Sequence, residues 1–131
     1  MKTYGKWIAV LIVILSANCR KPANPLVEKP GGLTGRWKYA AYFYSIGPPG
    51  EWHTVAPGQW IELRDDGSFS SNASPFSAAY AYSIKDSVQV NLLRGVGRDP
   101  LQYRYLLKGD TLELAPVPFC IEGCADRFIK E

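Results

Sequence analysis

Histidine is almost missing from this sequence: His53 is the single one among 131 residues, and there are only three cysteines. A zinc site built on Cys120 and Cys124 would need two further ligands, and His53, far upstream, is the only histidine, so no metal or cofactor is implied. Long apolar runs are missing as well. The longest, Trp7 to Leu15, is nine residues, against about 20 for a helix that crosses hydrocarbon. There is no sustained helical periodicity, no heptad pattern and no internal repeat. The basic residues are scattered singly with no stripe or cluster to neutralise a phosphate backbone, which argues against nucleic acid as a partner.

What is present begins with order along the chain. Lys2 and Lys6 precede the apolar run, and Ser16-Ala17-Asn18 follows it, the sequence of charge, apolar run and small residues that marks a secretion signal. Cys19 comes next. A signal ending on cysteine resembles those of bacterial lipoproteins, in which the cysteine takes a diacylglyceryl group and becomes the mature N-terminus. That resemblance implies a signal peptide over 1–18, lipidation at Cys19 and an anchor to the membrane through the N-terminal lipid. "RKPAN" after Cys19 lacks the acidic run of a surface-export tag, so the expected location is the bacterial cell envelope, on the periplasmic face of the outer membrane. Residues 19–32, rich in Pro, Gly and charge, read as a tether. With Lys2 and Lys6 removed, the remainder is close to neutral.

Lipidation of Cys19 leaves Cys120 and Cys124 as an even pair in an oxidising compartment. Their three-residue spacing departs from the Cys-x-x-Cys of redox motifs, and the one histidine is far upstream, so a disulfide is favoured over a redox or metal-binding pair.

Residues 33–131 alternate with period two. In "GRWKYAAYFYS", Trp37, Tyr39, Ala41 and Phe43 share one face. Asp65-Asp66-Gly67 lies between two strand-like runs and predicts a hairpin, because Gly supplies the positive φ of a tight turn. Lys85-Asp86-Ser87 predicts a second, with Tyr80, Tyr82, Ile84, Val88, Val90 and Leu92 inward. "LQYRYLL" alternates Leu101, Tyr103, Tyr105 and Leu107 against polar residues. About eight short strands joined by tight turns predict an all-β, antiparallel up-and-down meander that closes into a small barrel, since closure removes unpaired edges.

The opening Gly35-Arg36-Trp37, the meander after it and the ending "LELAPVPFCIEGCADRFIK" resemble the lipocalin-like superfamily, and within it the small lipocalin-like lipoproteins of Bacteroidota-type bacteria. The resemblance implies that Trp37 plugs one end of the barrel, with Gly35 beside it and Arg127 packed over the indole. It also implies a small apolar or amphipathic ligand held in or at the barrel mouth. Trp37, Tyr39, Phe43, Tyr80, Tyr82, Tyr103 and Tyr105 are the candidate lumen residues, either lining a pocket or filling the interior. His53 stands alone in a Pro/Gly loop, and a hairpin turn accounts for Asp65 and Asp66, so the expected protein is not an enzyme. Trp52, His53 and Trp60 are candidates for a lid or a protein-binding patch. A second expectation is therefore a binding, inhibitory or structural module that uses its loops on an envelope protein.

Overall fold

The alternating segments form strands throughout a computed structural model that describes residues 32–47, 49–118 and 123–131. In chain order these are β1 (Gly35–Tyr44), β2 (Glu51–Thr54), β3 (Trp60–Leu63), β4 (Phe69–Ser71), β5 (Ala79–Ile84), β6 (Gln89–Arg94), β7 (Leu101–Lys108), β8 (Thr111–Pro116) and β9 (Cys124–Lys130). A single 3-10 turn, Phe76–Ala78, precedes β5. The signal, Cys19, the tether through residue 31 and Cys120 lie outside the described residues.

All the pairings are antiparallel: β1 takes both β2 and β3 as partners, β3 pairs with β4, the strands from β5 to β9 pair in sequence, and β9 returns to β1, giving the order β4-β3-β1-β9-β8-β7-β6-β5 with β2 as an extra partner of β1. The pairing of first and last strands runs from Trp37 opposite Lys130 to Tyr44 opposite Cys124. Closure is completed at one seam, between β4 and β5. There a single bridge joins Ser68 to Ala81, and the Tyr82 amide donates to the Gly67 carbonyl at 2.9 Å. The result is a nearly closed up-and-down barrel. The expected Asp65-Asp66-Gly67 hairpin joins β3 to β4: Gly67 has φ +85°, and the Asp66 carboxylate accepts from the Ser68 amide at 2.8 Å, as short acidic side chains do in such turns.

The interior is packed solid along most of its length. Trp37, Ile61, Phe76, Leu112 and Phe128 are fully buried. Tyr39, Tyr103 and Tyr105 are buried too, as period two predicts, and Tyr82 packs on the edge of the same core. Phe76 reaches in from the 3-10 turn, with its ring 5.5 Å from Phe128 and 5.5 Å from Tyr103.

Two bulges break the alternation. On β1, Tyr39 opposes Phe128 but Ala41 opposes Arg127, so Ala40 is an extra residue. It lies where β1 exchanges β3 for β2 as its neighbour. Beyond a bulge the side chains change face. Phe43 therefore leaves the face shared by Trp37 and Tyr39 and packs beside Trp52, 5.4 Å ring to ring, while still bordering the open end of the barrel; Tyr42 and Tyr44, opposite Asp126 and Cys124, move to the inner face. On β5 the extra residue is Tyr80, between Ala79 and Ala81. It is 60% exposed, which removes it from the candidate lumen residues. Val88 is also exposed and belongs to the β5–β6 turn rather than a strand. The ninth strand, β2, occupies what reads as a Gly/Pro loop. All four of its residues are exposed, so no hydrophobic alternation marks it.

One end of the barrel is plugged as expected, by Trp37, whose indole N–H donates to the Leu33 carbonyl at 3.0 Å. Gly35, at φ +137°, packs where a Cβ would lie 3.2 Å from the Lys130 side chain. The cation over the plug is Lys130 rather than Arg127: its ammonium lies 4.9 Å from the Trp37 ring and donates to the carbonyls of Gly32 and Thr34. Register explains the correction. Lys130 is opposite Trp37, whereas Arg127 is opposite Ala41 on the outer wall, where its guanidinium lies 3.6 Å over Trp52.

Candidate functional site at the barrel mouth

The strands place β1's last residues, β9's first and the 3-10 turn together at the end opposite Trp37. There an open cleft of about 360 Å³ remains, bordered by Tyr39, Tyr42, Tyr44, Tyr103, Pro75 and Asp126 among others. Phe76 and Phe128 fill the space below it. The volume lies at the small end of ligand pockets, which run from about 300 Å³ upward.

Asp126 gives the cleft its polarity. It is opposite Leu114 on β8 and Tyr42 on β1, which places it on the inner face, and the Tyr39 hydroxyl donates to its carboxylate. Burial pushes this carboxyl above its usual range, outweighing the hydrogen bond from Tyr39, which acts in the opposite direction. The two phenols respond together. Burial, then the hydrogen bond to Asp126, hold the Tyr39 phenol far above the usual tyrosine range. Burial, with the Asp126 charge adding to it and Arg94 opposing it, pushes Tyr103 up to about 12. Tyr39 thus stays a hydrogen-bond donor at all physiological pH values.

The neighbouring Arg127 does not share this space. Two of its guanidinium nitrogens donate to Glu113, at 2.7 and 3.0 Å, across the outer face of β8 and β9. Arg94 is turned to the β6–β7 loop, where it donates to the Asp99 carbonyl. Among the described residues, no ion pair joins Asp126 to a lysine, arginine or histidine.

Of the expected lumen residues, Tyr39, Phe43 and Tyr103 border this cleft. Trp37 belongs to the plug, Tyr105 to the core, and Tyr82 to the wall near the seam, its hydroxyl donating to the Arg64 carbonyl at 2.7 Å. The three loop aromatics are not gathered into a lid. Trp52 lies under Arg127, Trp60 lies under Arg36 with the guanidinium 4.0 Å from the ring, and only His53 reaches the rim, stacked 5.2 Å from Tyr42. Asp126, Tyr42 and Tyr44 are the site residues that the sequence reading passes over. For Asp126 the signal is there: counting back two from Phe128 puts it on the inner face. Tyr42 and Tyr44 become inward residues only through the bulge. Cys124, at the start of β9, borders the same cleft.

No family model matches this sequence, and no curated protein matches it.

Proposed function

We propose that this chain is a lipid-anchored, lipocalin-like protein of the bacterial cell envelope that holds a small amphipathic molecule at the mouth of its barrel. The observation that carries the reading is the cleft itself: aromatic walls give apolar contact area, and Asp126 with the Tyr39 hydroxyl gives a fixed polar point for orientation. The packed interior below Phe76 limits the ligand to one small group or to the end of a larger molecule. Titration of the full chain with a lipophilic fluorescent dye tests this. Uptake that falls on Tyr44→Ala, a half-exposed rim position, supports the mouth as the site; no uptake by either protein refutes it.

The anchor is Cys19 and the disulfide partner of Cys124 is Cys120 in this reading. A bridge closing so short a loop adds roughly 2 kcal/mol in the chain-entropy model and holds the approach to β9. Mass spectrometry of membrane-extracted protein checks both: a lipid-sized increment on Cys19, and no alkylation of Cys120 or Cys124 until a reductant is added.

A second reading, a module that binds another envelope protein through its loops, has its own support. Ile46 and Val96, on two loops at the mouth end, are the most exposed of the large apolar residues described, at 79% and 108%. A photo-crosslinker placed at Val96 that yields one discrete adduct in envelopes favours this reading; a smear or no adduct goes against it.

A further inference from the structure

We infer that the mouth selects a cationic ligand, a substituted ammonium group carrying an apolar chain. This inference rests on the mouth-binding reading and names the ligand class for it.

The cleft brings together the two features that recognise an ammonium ion. Ring faces attract cations through the quadrupole of the π-system, and Tyr42, Tyr44 and Tyr103 all border the space. A carboxylate beside them supplies the opposite charge. Asp126 accepts one hydrogen bond, from Tyr39; Arg127, next to it in the chain, pairs with Glu113 on the outer face, and Arg94, which acts on Tyr103, donates to the Asp99 carbonyl. A carboxyl removed from water without a counter-charge is costly, and burial already holds its proton more tightly than usual. An arriving ammonium relieves that cost. An anionic head group adds to it, and an uncharged one leaves it in place. The aliphatic part of the ligand has its own surface in Pro75 and Pro116, which border the same cleft.

The test uses three probes with one tail and different heads, decyltrimethylammonium, decyl maltoside and decyl sulfate, each below its micelle concentration. They are titrated into the full chain and into Asp126→Asn, a change that keeps an acceptor for the Tyr39 hydroxyl. The expected result is ammonium binding roughly tenfold tighter than maltoside, the size of a partly desolvated cation–π and charge contact, with sulfate weakest. In Asp126→Asn the ammonium advantage disappears while maltoside binding is unchanged. Tyr44→Ala, at an exposed position that leaves the core untouched, weakens ammonium binding as well. Equal affinities for the three heads, or a preference that survives Asp126→Asn, overturns the inference and leaves mouth binding standing. No binding of any probe removes both. Phosphatidylcholine vesicles then separate the sources: displacement of the bound ammonium by these vesicles, and not by phosphatidylglycerol vesicles, assigns the ammonium to a lipid headgroup. Lack of displacement assigns it to a free amine.

Discussion

Phe128 touches more of the aromatic core than any sequence pattern announces, stacking 4.8 Å from Tyr39 and meeting Phe76 edge-on. Truncating so enclosed a ring leaves a cavity, so Phe128→Ala is expected to lose about 3–5 kcal/mol of stability, measured by urea denaturation. Asp126 gives the opposite sign. Its carboxyl is raised on folding from the ordinary 3.8, so the stability linked to it is complete at acid pH below that value and declines as pH rises through the folded value. The groups facing it are Tyr39 and Tyr42 from β1 and Tyr103 from β7, with Arg94 on β6 acting on Tyr103; burial holds the Tyr39 and Tyr103 phenols above the usual tyrosine range. Asp126→Asn removes the decline. The variant is expected to melt higher than its parent at pH 7, with the difference vanishing below about pH 4; a gap that grows on acidification contradicts this.

Strand β1 shows how one residue sets the geometry of a whole element. From Gly35 to Tyr39 its faces follow simple alternation. Past Ala40 they are reversed, and the reversal brings Tyr42 and Tyr44 to the mouth and puts Phe43 beside Trp52. Deleting Ala40 restores an unbroken period of two and turns Tyr42 and Tyr44 outward. The deletion is expected to abolish ligand uptake and to change Trp52 fluorescence through loss of the Phe43 and Arg127 contacts. Both bulges fall among alanines, Ala40-Ala41 and Ala79-Tyr80-Ala81. A methyl group packs acceptably on either face, so such residues exert little pull on register, and the hydrophobic pattern carries no mark of the slip. This is why the unbroken strands were legible, as with Tyr103 and Tyr105 on β7 or Val90 and Leu92 on β6, while Tyr80 was misplaced and the change of face at Phe43 was not foreseen. Resemblance also misled at one position. It pointed to Arg127 over the plug, whereas the pairing register puts Lys130 there.

At the scale of the molecule, the barrel was legible because turns and alternation agree along nearly the whole chain, and agreement across levels specifies a fold. The cleft was not, because it depends on where Phe76 and the end of β1 meet in space. The ring of strands is also uneven. The β1–β9 pairing spans the full height of the barrel, but β4 has only three residues and meets β5 through one bridge. Local opening follows such sparse pairing. In native-state hydrogen exchange, the Tyr82 amide at the seam is expected to exchange at least tenfold faster than amides in the middle of β8 and β9; equal protection speaks against a weak seam.

The final residue adds a practical point. Glu131 donates its amide to the Arg36 carbonyl and pairs its carboxylate with the Arg36 guanidinium at 2.9 Å, on the same side as Leu33 and the tryptophan stopper. A biotin or immobilising peptide appended there emerges at the pole away from the aromatic opening. Protein captured on a sensor chip by that handle presents the opening to the flowing solution, unobstructed by the support.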